Sequence, residues 1–383
     1  MEPARRTDSH VNRRLTASAQ VRIATPGVTT PARVPTSRRS PTWKEPAVNS
    51  RLISPGSIVA GAALAALLML ARTGDVSADE QGIPFWYSGQ YASLSAIPAT
   101  PGWSANIVPF FYSIGSGNSS KEFQRGGVLA TRLTADIAAL IVQPTWAPAT
   151  KVLGGQPSFG LSFGAGMTSV SGTLSVQTST GAPLSGTRTD SVTGALDLYP
   201  IVNLAWAHGN HNWMTYLTGD IPVGAYDMSR FANLGIGHGA IDGGGGYTYL
   251  NLQNGREFTA VVGVTYNFEN PDTHYRSGVD SHLDWALSQF LSETWHVGIV
   301  GYAYYQLSAD SYPTTGVAGE IRSRVLGEYK SQVYSVGGEV GHLYKLGNQD
   351  AYFNLRGYSE FSSTNRLKGY ALWALVNIPI VRY

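Results

Sequence analysis

Ser281, His282, Asp284 and Ser288 lie close together and offer hydroxyls, an imidazole and a carboxylate, the groups of a nucleophilic hydrolase. No Gly-x-Ser-x-Gly elbow, which would aim such a serine, accompanies them. His208, His211 and His238 supply three imidazoles, an incomplete zinc set. The first two, however, fall in His208-Gly-Asn-His211, which reads as a tight turn and needs no metal to explain it. Asp242-Gly-Gly-Gly-Gly246 has the composition of a phosphate cradle, yet no helix follows it. Glycines there more simply let a strand bend or let another segment pack against it. With no cysteine anywhere, disulfides, thiolate metal sites and thiol nucleophiles are excluded. The sequence therefore implies no catalytic set, no cofactor and no metal.

The elements that carry these residues alternate with a period of two. From Trp295 the odd positions Trp295, Val297, Ile299, Ala303, Tyr305 and Leu307 are apolar apart from Gly301, while His296, Gln306 and Ser308 fall on the other face. In the stretch Glu257 to Glu269, Phe258, Ala260, Val262, Val264, Tyr266 and Phe268 form one face and Glu257, Thr259, Thr265, Asn267 and Glu269 dominate the other. Strands of soluble proteins run about five or six residues, whereas a tilted membrane-crossing strand needs about nine to eleven. Three more clear strands are expected at Ser158 to Thr168, Ser191 to Trp206 and Ala351 to Ser362. Weaker ones are expected at Trp103 to Gly115, Ala130 to Trp146, Asn212 to Ile221, Gly239 to Asn251, Gly278 to Leu291, Ser331 to Tyr344 and Leu367 to Ile380. The total is about twelve, and long connections alternate with short ones. The pattern predicts an all-β chain, a transmembrane antiparallel up-and-down β-barrel spanning residues 103–383 in a bacterial outer membrane.

Composition agrees with this. Of 383 residues only 14% are charged and 44 are glycine, and nine Trp and 21 Tyr supply rings for the two membrane interfaces. Residues 1–50 are basic, rich in Ser, Thr and Pro, and are expected to be a disordered leader. Residues 51–78 have the form of a signal peptide: Arg51, an apolar run from Ile58 to Leu70, then Val76-Ser77-Ala78. A translation start near Val48 would leave Arg51 as an ordinary basic leader. The first 78 residues hold 10 Arg and 1 Lys against 4 acids, so the remainder holds 16 basic and 21 acidic residues. A nucleic-acid partner loses its support with that leader. Residues 79–102 form an aromatic, proline-punctuated lead-in, expected either in the periplasm or folded into the lumen, where Trp86, Tyr87 and Tyr91 would offer ring faces. At the other end, Pro379 and Arg382 disturb the alternation, so the last strand is expected to stop near Ile378 or the tail to hang free.

The segment from His208 through Trp213, Asp220-Ile-Pro-Val-Gly-Ala-Tyr-Asp227 and Arg230-Phe-Ala-Asn-Leu-Gly-Ile-Gly-His-Gly-Ala-Ile-Asp242 resembles an outer-membrane family named for the meta-pathway of phenol degradation. Gly246-Tyr-Thr-Tyr-Leu-Asn251, Thr265 to Thr273, Gly278 to Ala286 and the opening Phe85-Trp-Tyr-Ser-Gly-Gln90 through Trp103 look like the same family. The resemblance implies an outer-membrane barrel linked to aromatic catabolism that admits small hydrophobic compounds. It carries over no catalytic residues.

On the strand registers, Asp136, Asp197, Asp220, Glu257, Glu269, His282, Asp284, Ser288, Arg356 and Glu360 point away from lipid, because a charge at the bilayer midplane costs about 2–4 kcal/mol. These groups either hydrate and cross-link the lumen or line a solute path. The candidate path comprises Trp86, Tyr87, Tyr91, Asp197, Asp220, Glu257, His282, Asp284, Tyr302, Tyr304, Arg356 and Glu360. Expected partners are outer-membrane lipid, the barrel-assembly machinery and a small hydrophobic or aromatic substrate. The competing functions are an outer-membrane lipid or ester hydrolase and a structural or adhesive barrel.

Overall fold

A computed structural model describes residues 84–116, 119–123, 127–177, 184–311 and 330–382, all within one compact unit, Ser54–Tyr383. The expected leader and signal peptide lie outside the described residues. The strands are β1 (Gly102–Gly115), β2 (Ser119–Phe123), β3 (Gly127–Ala147), β4 (Gln156–Gln177), β5 (Leu184–Ala195), β6 (Tyr199–His208) and β7 (His211–Asp220). They continue with β8 (Ala240–Asn251), β9 (Arg256–Asn267), β10 (Asp280–Phe290), β11 (Trp295–Gln306), β12 (Gln332–Leu346), β13 (Gln349–Thr364) and β14 (Lys368–Arg382).

All fourteen belong to one antiparallel sheet. It closes on itself because β14 pairs with β1, β1 with β3, β3 with β4, and β4 with β6. The fourteen strands make twelve staves. β5 and β6 pair with the two halves of β4 and form a single interrupted stave, and β2 continues the line of β1 along β3. Closure leaves the ring of staves without a free edge where it crosses the membrane, the condition for a sheet surrounded by lipid. Five connections, beginning at residue 148, at β6–β7, β8–β9, β10–β11 and β12–β13, are short and lie at the end where β1 starts and β14 finishes. The longer connections, including residues 221–239 and 268–279, lie at the other end. This is the contrast between periplasmic turns and extracellular loops.

Side-chain direction follows the alternation. On β9, Val262 and Val264 are exposed on the outer face while Glu257, Thr259, Val261 and Thr265 are buried inside. On β11, Trp295, Val297, Ile299 and Tyr305 face out, and His296, Val300, Tyr302, Tyr304 and Gln306 are buried. The exposed apolar band is therefore the lipid face, and the packed core is the lumen. Val262 sits near the middle of its strand. Val262→Arg should cost about 2–4 kcal/mol. The readout is loss of the heat-modifiable folded band on unboiled gels.

Three local features depart from the sequence expectation. β3 and β4 run 21 and 22 residues, about twice the length needed to cross, so their far ends pair with β2 and β5 in a four-stranded wall standing beyond the rim. The stave of β5 and β6 breaks at Leu196-Asp197-Leu198, where the ladder to β4 skips and the Leu196 amide donates to the Gly164 carbonyl. β14 does not stop near Ile378. It continues through Pro379 to Arg382, with Ser104 opposite Pro379 and Trp103 opposite Val381, so a bulge absorbs the irregularity and the tail stays in the wall.

Candidate functional site

Residues 84–101 lie against inward-facing side chains of the wall. From Pro84 the chain runs inside the barrel as turns and extended backbone with no strand partner, so its peptide groups need side chains from the wall. At the centre, Asp284 on β10 accepts the amides of Gly89 (3.0 Å) and Tyr91 (3.3 Å). Arg356 on β13 donates Nε to the Gly89 carbonyl (3.0 Å) and Nη2 to the Gln90 carbonyl (2.8 Å). Tyr358 donates its hydroxyl to the same Gly89 oxygen (3.2 Å). Gly89 is held at φ +84°, and a Cβ there would lie 2.8 Å from the Tyr358 ring, so this close approach requires glycine.

Nearer the periplasmic end a second clamp closes on Ser93. Its hydroxyl reaches Glu257 Oε2 (2.7 Å), Ser288 Oγ (2.5 Å) and Glu339 Oε1, while Glu257 also accepts the Leu94 amide (3.1 Å). The Ala96 amide donates to Thr248 Oγ1 (3.1 Å). Asn354 and Ser288 each donate to Glu339, at 2.8 and 2.7 Å. Both carboxylates are buried, and hydrogen bonding makes burial tolerable.

Rings fill the space between the clamps. Trp86 stacks on His282 with centroids 3.4 Å apart and planes 16° apart, and lies beside Tyr91 and Tyr216. His282 Nε2 lies 3.0 Å from Asp242 Oδ2, which also accepts the Thr265 hydroxyl. Glycines make room for this stack: a Cβ on Gly263 would fall 2.1 Å from the Tyr216 hydroxyl, and one on Gly244 2.6 Å from it. Tyr87 points elsewhere, meeting Phe110, Tyr199 and Trp373 edge-on. Glu360 accepts the hydroxyls of Tyr112 and Tyr302, both at 2.7 Å, and the Gly369 amide. The Arg366 guanidinium lies 4.3 Å from the centre of the Tyr304 ring.

From the extracellular end, residues 221–239 fold inward. Asp197, placed by the break between β5 and β6, accepts the amides of Gly224 (2.6 Å) and Ile236 (3.1 Å). Ala232, Leu234 and Ile236 are fully buried and join the same apolar cluster as Phe85 and Tyr87. At the exposed bend of this loop, the Ser229 hydroxyl and amide hold the Asp227 carboxyl below its ordinary range. Asp220 is buried at the end of β7 from which the loop departs.

Between the plug and the wall made chiefly by β13, β14, β1, β3, β4 and β6 lies a cavity of about 560 Å³. Phe85, Tyr87, Tyr199 and Trp373 give it ring faces, and Asn106, Gln143, Asn203 and Asn377 give it amides. The volume falls within the range of about 300–1,000 Å³ usual for small-molecule sites.

A barrel of twelve staves, filled by its own N-terminal segment, narrows the comparison with other proteins. The family described as MetA-pathway of phenol degradation matches residues 115–376. The chain belongs to this family. Among solved structures it is similar to an outer membrane channel from Pseudomonas putida F1, at TM-score 0.53 and 11% identity, covering 75% of this chain and 98% of that one. The translocator domain of the autotransporter NalP from Neisseria meningitidis follows at TM-score 0.34 and 11% identity, covering 85% and 98%. A Pseudomonas aeruginosa FadL homologue follows at TM-score 0.30 and 9% identity, covering 72% and 89%. No curated protein matches the chain in sequence. This phenol-degradation family protein is an outer-membrane β-barrel, the fold it shares with the Pseudomonas putida protein.

In this family member the candidate path residues fall inside the barrel, but they do not form one constellation. Trp86 and His282 make the stack, and Tyr87 packs on the opposite wall, with Tyr91 half-buried beside Trp86. Asp284, Arg356 and Glu257 hold the plug, Glu360 ties Tyr302 to Tyr112, and Asp197 holds the extracellular loop. Two of the wider set leave the lumen altogether. Asp136 sits on the outer face, accepting the Ser113 hydroxyl at 2.6 Å, because β3 turns Ala135 and Ile137 inward. Glu269 lies past the end of β9 in a loop, paired with His274. The remaining groupings come apart as well. His208 and His211 flank the β6–β7 turn, while His238 is buried in the loop at the other end. Ser288 bonds Glu339 and Ser93 rather than His282, and Ser281 donates to the Tyr305 carbonyl. The family protein also uses Ser93, Asp242, Glu339, Asn106, Gln143 and Asn377, none of which the sequence marks by charge clustering. Inward alternation along β1, β3, β8, β12 and β14 is the signal that would have found five of them.

Proposed function

We propose that this barrel takes up small hydrophobic, aromatic compounds of phenol or toluene type across the outer membrane by passive diffusion. The observation that supports this is the periplasm-facing cavity, bounded by the rings of Phe85, Tyr87, Tyr199 and Trp373 and of a size for one or a few small rings. In this reading Trp86, Tyr91, Tyr302 and Tyr304 shape the path. Asp197, Asp220, Glu257, His282, Asp284, Arg356 and Glu360 act on it indirectly, by holding the two segments that narrow it. The protein is not an enzyme in this reading, which is supported by the engagement of Ser288 with carboxylates and of His282 with Asp242. Assembly would use the barrel-assembly machinery, with β14 as the strand presented last.

The test is uptake of labelled phenol or toluene, beside a sugar of similar size, in cells with and without the protein in the outer membrane. Faster aromatic uptake with unchanged sugar uptake is the expected result. Equal gains for both would make it a general pore. No gain for either would favour hydrolysis, which Ser288→Ala would then abolish, or a structural role.

A further inference from the structure

The lumen wall is divided by chemistry. The half formed by β8 to β13 carries Asp242, Glu257, His282, Asp284, Glu339, Arg356 and Glu360, each engaged with the plug or with a neighbouring strand. The other strands that bound the cavity, β14, β1, β3, β4 and β6, present amides and hydroxyls instead, and β13 borders both regions through Asp350, Asn354 and Arg356. Three of the amides stand level on adjacent strands, since Asn106 is opposite both Asn377 and Gln143 in the two ladders. They are joined in one direction: Asn377 Nδ2 donates to Asn106 Oδ1 (2.7 Å), and Asn106 Nδ2 donates to Gln143 Oε1 (2.9 Å). A chain of this kind polarises its own ends. Among the described residues neither Asn377 Oδ1 nor the Gln143 amide nitrogen has a protein partner, and both side chains line the cavity, half-buried. Of the charged groups that also line it, Arg356 is committed to plug carbonyls and to Asn354, while Asp350 and Arg382 pair with each other at the rim.

We propose that Asn377, Asn106 and Gln143 form a recognition site for an uncharged ring bearing an oxygen substituent, a carbonyl or a hydroxyl, in preference to a bare hydrocarbon or an aryl carboxylate. This rests on the channel reading above and names its solute class. The free amide nitrogen of Gln143 donates to the ligand oxygen, the free oxygen of Asn377 accepts where the ligand has a hydroxyl, and the ring lies toward Tyr87 and Trp373. A hydrocarbon entering the same space strips water from these amide ends and gives nothing back. An anion loses its hydration without meeting an available cation.

Acetophenone and ethylbenzene test this, because they differ by a carbonyl for a methylene; benzoate tests the charge. Binding is measured by equilibrium dialysis of the purified full-length barrel at fixed detergent, with empty micelles as reference. Wild type should bind acetophenone about ten-fold more tightly than ethylbenzene, the worth of one net hydrogen bond, and benzoate more weakly than either. The variant with Asn377→Leu and Gln143→Leu should lose that preference while keeping ethylbenzene binding. Asn377→Gln with Gln143→Asn should restore part of it. If the leucine variant does not fold, Ser162→Cys gives an independent reading. Ser162 also lines the cavity, and the chain has no other cysteine. Its modification by a maleimide should be slowed by acetophenone and not by an equal concentration of ethylbenzene. Equal binding of the two rings, or a preference unchanged by the leucine pair, would overturn the proposal and leave the channel reading intact. Failure of both neutral rings to bind would remove both.

Discussion

Arg356→Ala is expected to raise the frequency with which the barrel opens in a planar bilayer. Arg356 contributes two charge-assisted hydrogen bonds to the plug, at Gly89 and Gln90, and these sit beside the Asp284 contacts that hold the same turn. At about 1.5–3 kcal/mol each, their loss shifts the ratio of seated to released plug by about 100-fold or more. Single-channel recording in planar bilayers reads the change directly. A second pair of substitutions ties the openings to the plug. Ser93 and Ser288 have their hydroxyl oxygens 2.5 Å apart in a chain without cysteine, so Ser93→Cys with Ser288→Cys should form a disulfide. Added to Arg356→Ala, that disulfide should restore the closed trace until a reductant is supplied. An Arg356→Ala trace indistinguishable from wild type would show that the plug is held without this clamp.

The second large effect is expected at the other end of the lumen, with Asp197→Ala. The Asp197 carboxylate satisfies the amides of Gly224 and Ile236, which lie at the two ends of the inward-folded loop. The buried Ile236 amide and the half-buried Gly224 amide, left without acceptors, cost about 2–4 kcal/mol together. The loop has weaker ties as well, from the Phe231 amide to Asp190 and from Arg188 to the Ser229 carbonyl, but these hold its outer part and not its buried return. Protease added to intact cells should therefore cleave within residues 226–233 at least about 30-fold faster in the variant, as the equilibrium population of the open loop rises. Asp197→Asn, which keeps one acceptor oxygen, should fall between the two. Cleavage unchanged in Asp197→Ala would place the stability of the loop in its apolar contacts, Leu234 and Ile236, instead.

Much of this architecture is written in period two. The twelve expected strands coincide with the twelve staves because each crossing segment must send alternate side chains to lipid, and Trp295 to Leu307 or Phe258 to Phe268 cannot satisfy that rule in another register. The same rule placed Glu257, His282, Asp284, Arg356 and Glu360 inside. It fails where a segment leaves the membrane. Asp136 lies where β3 approaches the protruding wall, so the lipid penalty no longer sorts its face, and Glu269 lies beyond its strand. Most of β3 was expected, from Ala130 onward, but the extra length of β4 was missed although Val170, Leu174 and Val176 alternate there with Ser, Thr and Gln, because a membrane-crossing strand needs no more than the span already assigned. The break at Asp197 and the bulge at Pro379 are set by neighbouring strands, which local sequence does not contain. Partners inside the lumen are still less legible. Ser93 meets Glu257, Ser288 and Glu339 across more than 160 residues of chain, and Asn106 meets Asn377 and Gln143, uncharged residues that carry no warning of their role.

The place of the plug in the chain couples it to the seam that closes the barrel. It is joined directly to β1, and the seam that completes the wall is β1 against β14, the first stave and the last. Its side chains reach both lips of that seam, because Tyr87 meets Phe110 on β1 and Trp373 on β14. The Tyr87 ring thus bridges the two strands whose pairing closes the wall, so that seating of the plug and closure of the seam stabilise each other.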